Sequence, residues 1–180
     1  AAGIKAAGSV AYVQLHHAGM RSPRDLIGMQ PVCPSDDAET GSRALTLAEI
    51  EQLREDFIAA AVRADRAGFD GVELHCTSGY LPAQFLCSGT NNRSDDYGGS
   101  VANRARFVLE VLSAMASVDG AGRVGMRICP DNPFNDMHDD DPQQTFEYLL
   151  REASVLDLAY LHAMRYPQGR VDNIELGRRY

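Results

Sequence analysis

VELHCTSGYLPAQFL, residues 72–86, begins as a buried β-strand and then sets His75, Ser78 and Tyr80 within six positions. The strand extends back to Phe69, since FDGVELHC is a short, mostly apolar run entered from Gly68. Such a run is buried on both faces, as in a parallel sheet. What the polar groups at its exit are for depends on the elements that flank it.

Upstream, Thr46 and Glu49 are spaced as a capping box, and Ile50, Leu53, Phe57, Ala60, Ala61 and Ala64 recur at helical intervals until Gly68 supplies a stop. Before that helix, SVAYVQL (9–15) reads as a strand feeding a long loop, 16–37, rich in turn formers. Downstream, 77–100 reads as irregular and contains the Gly98-Gly99 turn. Ser100 then caps a helix carrying Phe107, Val108, Val111, Leu112 and Met115 on one face, followed by the strand RVGMRIC (123–129). Asp141, Pro142 and Gln144 suit the start of another helix, with Phe146, Leu149, Leu150 and Ala153 inward. LDLAYLHAM (156–164) is a fourth strand, and NIELGRRY (173–180) can begin a last helix.

Strand and helix thus alternate, which demands a parallel sheet with right-handed crossovers. An open doubly wound sheet and a (β/α) barrel both satisfy the pattern. No glycine-rich phosphate loop follows any strand, which removes the direct evidence for an open nucleotide-binding sheet. Gln14, His16, His17, His75, Ser78, Arg127, His162 and Arg165 instead gather toward strand C-terminal ends, the rim on which barrel enzymes build catalysis.

At 180 residues and 44% hydrophobic content, the chain can bury a core as one domain or part of one. Its 17 basic and 25 acidic residues, formal charge −8, argue against a nucleic-acid or anionic-membrane surface and favour small-molecule chemistry. Cys33, Cys76, Cys87 and Cys129 lack metal-site spacing, so reduced thiols and a cytoplasmic location are expected. No run approaches the ~20 apolar residues of a membrane span. Adjacent His16 and His17 would point to opposite faces of a strand, a poor chelating pair, and DMHDDD (136–141) lacks the glycine and terminal glutamate of an EF-hand loop, so it is expected to be a solvated loop and no metal site is assigned.

The stretch GFDGVELHCTSGYLPAQFLCSGTNNRSDDYGGSVANRARFVLEVL (68–112), with VQLHHAGM before it and RVGMRICP and LAYLHA after it, resembles the signature region of the old yellow enzymes, FMN-dependent ene-reductases. The resemblance covers nearly the whole chain in the family's order. It implies a (β/α)8 TIM barrel, of which residues 1–180 are a partial barrel of about four β/α units matching strands three to six, a fragment of a longer single-domain chain. A complete barrel takes about 250 residues.

The implied activity is reduction of electron-poor alkenes such as enones and nitroalkenes. NADH or NADPH gives hydride to FMN, the reduced flavin passes it to the alkene, and a tyrosine supplies the proton. In that scheme His75 donates to the substrate oxygen on which charge develops, and Tyr80 protonates the α-carbon, a role suited to a phenol, whose reference pKa is ~10. Ser78 stands where the family has asparagine or histidine as second donor, and its shorter side chain departs from that pattern. Gln14 and Arg127 match residues that bond the flavin ring, Arg127 beside the charge that gathers near N1 and O2. His16 replaces a frequent tryptophan and is read as shaping the pocket, while His17 is read as structural. Arg93, Asp95, Asp96 and Arg104 are expected to pair and hold the loop that Gly98 and Gly99 turn. The expected partners are the alkene and the nicotinamide cofactor, with a homo-oligomer or a complementing barrel half allowed. Two alternatives stand beside this reading: a catalytically silent or partner-dependent half-barrel, and a relative of the dienoyl-CoA reductase or amine dehydrogenase type.

Overall fold

Each long helix starts where a side chain can satisfy its free N–H groups. The computed structural model describes all 180 residues. In chain order the elements are α1 (Ala2–Ala6), β1 (Tyr12–Leu15), α2 (Arg24–Ile27), β2 (Val32–Cys33), β3 (Arg43–Ala44), α3 (Leu47–Arg66), β4 (Gly71–Cys76), α4 (Leu81–Leu86), α5 (Val101–Asp119), β5 (Val124–Ile128), α6 (Pro142–Ser154), β6 (Tyr160–Ala163) and α7 (Asn173–Arg178).

Ahead of α3, the Glu49 amide donates to Thr46 Oγ1 at 3.2 Å and the Thr46 amide to Glu49 Oε2 at 2.9 Å, completing the capping box. Arg43 donates to the same carboxylate at 2.6 Å and, with the backbone bond from Thr46, holds its pKa down to about 2. Ser100 and Asp141 cap α5 and α6, accepting from Asn103 N at 3.2 Å and Gln144 N at 2.9 Å.

The main sheet has the order β1-β4-β5-β6, every pair parallel, so its strands follow chain order without reversal. Val72, Leu74 and Cys76 of β4 and Val124, Met126 and Ile128 of β5 share one buried cluster with Ile50, Phe57 and Ala61 of α3 and with the inward residues of α5 and α6. The alternate residues Glu73, His75 and Arg127 lie outside that cluster, on the opposite face. Helices on one face and no reversal of strand order describe an arc of a singly wound barrel. A doubly wound sheet would carry helices on both faces and a switch point.

The stretch 77–100 is not irregular throughout, because α4 occupies Leu81–Leu86 with all six residues buried. Six residues are too few for a helical period to declare itself, and complete burial removes the contrast between faces. The first strand is shorter than 9–15, and the loop 16–37 contains α2, β2 and a 3-10 turn at Gly19–Arg21. DMHDDD is only partly solvated: Asp139 is buried, 3.6 Å from Arg104, and the Asp139 and Asp140 carbonyls accept from Arg170.

Arg93 binds Asp95 at 2.6 Å and donates to the carbonyls of Pro34 and Leu45, tying three segments together. Arg104 does not pair with Asp95 or Asp96; it donates to Leu86 O, Gly99 O and Thr145 Oγ1. All four cysteines are free and buried. Burial pushes the Cys33 thiol up to about 11 and raises those of Cys76, Cys87 and Cys129 as well.

Candidate active site

Register sets the geometry of the face turned away from the helices. Gln14 lies beside Glu73, His75 beside Arg127, and Arg127 beside His162, so side chains from four strands project from one surface. In the lowest layer the rings of Tyr12 and Tyr160 meet edge to face, with centroids 5.3 Å apart. They reach across because Gly71 and Gly125 carry no side chains, and a Cβ at either position would collide with a tyrosine ring.

One layer up, Glu73 is buried and tied to both sides. Gln14 Nε2 donates to its Oε1 at 2.5 Å, and His162 Nδ1 lies 3.1 Å from its Oε2. Burial, together with the charge of Glu73 and a hydrogen bond to it, keeps the Tyr160 phenol protonated well beyond its usual range.

Above this, His75 is 7% exposed and neither of its ring nitrogens has a hydrogen-bond partner. Burial first, then the neighbouring His16 and Arg127, lower its pKa to about 4, so the ring is neutral at pH 7 and offers one N–H. Arg127 is half-buried, donates to Met164 Sδ at 3.0 Å and keeps an unbonded Nε. Buried donors without partners normally await a ligand or water. A guanidinium, a neutral imidazole and the Gln14 amide on one surface suit a planar heterocycle with carbonyl oxygens and an electron-rich edge.

Tyr80 is the residue immediately before α4, and its ring centroid lies 5.3 Å from that of His75. His16 stands against both, at 5.2 Å from His75 and 4.4 Å from Tyr80. Gln84 of α4 bridges the segments that follow β1 and β4, next to this trio. Its Nε2 donates to Gly79 O at 2.7 Å and Ala18 O at 3.4 Å, while its Oε1 accepts from Met20 N at 3.3 Å. The Leu81 amide also donates to His17 O at 3.0 Å, so the exits of β1 and β4 are locked together. His17 serves this junction, its Nδ1 accepting from Gly19 N at 3.0 Å.

Ser78 is placed differently. Its φ is +57°, and its carbonyl accepts from Asn135 Nδ2 at 2.7 Å. It lines a cavity of about 500 Å³ with Thr77, Gly79, Asp139 and Arg170, and neither His75 nor Tyr80 lines that cavity. The fold thus brings Gln14, His75, Tyr80 and Arg127 to one face and joins His16 to them, while Ser78 borders a separate space. Glu73 and Gln84 were not singled out by sequence; a glutamine inside LPAQFL and a glutamate inside GVELHC were the available signals.

The chain matches the NADH:flavin oxidoreductase / NADH oxidase family over residues 1–173. It is 41% identical over 172 residues to the flavin oxidoreductase hxnT of Emericella nidulans, covering 86% of this chain and 44% of that protein. Morphinone reductase in complex with tetrahydroNAD superposes with a TM-score of 0.87 at 40% identity, covering 97% of this chain and 54% of that one. The old yellow enzyme homologue from Zymomonas mobilis superposes with a TM-score of 0.87 at 33% identity, covering 97% and 55%. The chain therefore spans about half the length of the relatives it matches.

Proposed function

From the premise that the chain belongs to the NADH:flavin oxidoreductase / NADH oxidase family, that of the old yellow enzymes, we propose that it carries the reactive half of an FMN-dependent ene-reductase. The observation that carries this reading is the pairing of an unbonded, neutral His75 with Tyr80 on the same surface as Arg127.

Gln14 and Arg127 would hold the ring of FMN. Arg127 places positive charge at the electron-rich edge, and Gln14, with one N–H committed to Glu73, still offers its carbonyl and a second N–H. Bound there, FMN supplies the two-electron chemistry that couples oxidation of NADH or NADPH to saturation of an electron-poor carbon–carbon double bond.

His75 donates its N–H to the carbonyl or nitro oxygen of the alkene, where negative charge develops as the double bond is reduced. One such fixed donor lowers a barrier by about 2.7–4 kcal/mol. Tyr80 delivers its phenolic proton to the α-carbon as that charge builds. The two rings lie close enough for one small substrate to meet both.

Rapid mixing of the FMN-loaded protein separates the two half-reactions. Tyr80→Phe slows alkene reduction by about 10²–10⁴-fold, the usual contribution of a positioned proton donor, and leaves flavin reduction by NADH or NADPH within about twofold. Equal losses in both halves would remove Tyr80 from the proton-transfer role.

A further inference from the structure

Two donors stabilise a developing oxyanion better than one, and the arrangement around His75 raises the question of which side chain is the second. Ser78 has other neighbours. The residue sits in the left-handed region, its carbonyl is held by Asn135, and it borders the cavity that neither His75 nor Tyr80 lines.

His16 has the opposite circumstances. It follows β1 on the face that carries Gln14, two residues away, and β1 pairs directly with β4. Its ring is nearly perpendicular to those of His75 and Tyr80, with interplanar angles of 76° and 86°. The side chain is exposed and makes no hydrogen bond within the chain, although the neighbouring His17 is bonded through Nδ1. Desolvation of the side that packs on its neighbours lowers the pKa of His16 below 6.5, so at neutral pH it too is an uncharged ring with one N–H.

We propose that His16, and not Ser78, supplies the second hydrogen-bond donor to the substrate's carbonyl or nitro oxygen, which would sit in the angle formed by His16, His75 and Tyr80. The inference rests on the ene-reductase reading given above. It makes His16 a determinant of substrate choice as well, because an imidazole on β1 approaches the oxygen from a different strand than a residue of the β4 exit loop.

The test is single-turnover alkene reduction by the pre-reduced, FMN-loaded protein, with flavin reduction by NADH as the parallel measurement. His16→Phe keeps an aromatic ring against Tyr80 and removes the N–H. It should slow the alkene step about 100-fold while flavin reduction stays within about twofold. His16→Asn restores a donor and should recover at least about tenfold of that loss, and Ser78→Ala should cost no more than about threefold. Should His16→Phe fail to retain FMN, His16→Met removes the same donor with a flexible chain and must give the same slow alkene step. A fast alkene step in the donor-free variants, or a large loss in Ser78→Ala, overturns the assignment of His16 while normal losses in His75→Ala and Tyr80→Phe leave the ene-reductase reading standing. If those two variants also react normally, that reading fails and takes this inference with it.

Discussion

His75 is a basic side chain that the fold keeps neutral, and this makes stability depend on pH in a defined direction. Its pKa falls from 6.5 to about 4 on folding. Between those values the unfolded chain binds the proton and the folded chain does not, so the contribution of His75 to stability is full above about pH 6.5 and is lost as pH drops toward about 4. Thermal melts across that window should show a shallower decline for His75→Gln than for the parent, and parallel slopes would contradict the neutral buried imidazole. His75 and Tyr80 were legible in the sequence because they sit in one contiguous motif. The placement of Ser78 was not, since its φ is +57° and its carbonyl is bonded by the distant Asn135. Glu73 was equally hidden, as its partners Gln14 and His162 lie 59 and 89 positions away along the chain.

Elements with long amphipathic patterns and capping residues declare themselves, and α3, α5 and α6 did so. Thr46→Ala should cost about 1 kcal/mol in urea unfolding, because the Glu49 amide loses its acceptor at the start of α3. The short elements β2, β3 and α4 had no period to read, yet α4 carries the glutamine that joins the exits of β1 and β4. Strand interiors hold a second demand invisible to pattern: Gly71 lies under the Tyr12 ring and against the carbonyl of Arg123. Gly71→Ala has backbone on one side and a ring on the other, so it should destabilise the fold by about 1–3 kcal/mol, a loss also readable by urea unfolding. A result near zero would mean that the β1–β4–β5 layer yields more easily than its close contacts imply.

For the molecule as a whole, alternating strands and helices left two architectures open, and only the spatial order of strands could choose between them. The order β1-β4-β5-β6 with the helices on one face gives the arc of a barrel, ending at β1 and β6, whose outer edges have no partner strand. Unpaired edges of this kind are satisfied by closure in a complete eight-stranded barrel. The burial of all four cysteines has a chemical meaning once the proposed substrates are considered. Electron-poor alkenes are Michael acceptors, and the species that attacks them is the thiolate, which burial makes scarce at every one of these positions. Intact mass measurement after incubation with excess enone should show no cysteine adducts on the native protein and up to four once it is unfolded in urea. On the proposed reading, such burial would let the protein meet reactive electrophiles turnover after turnover without being alkylated by them.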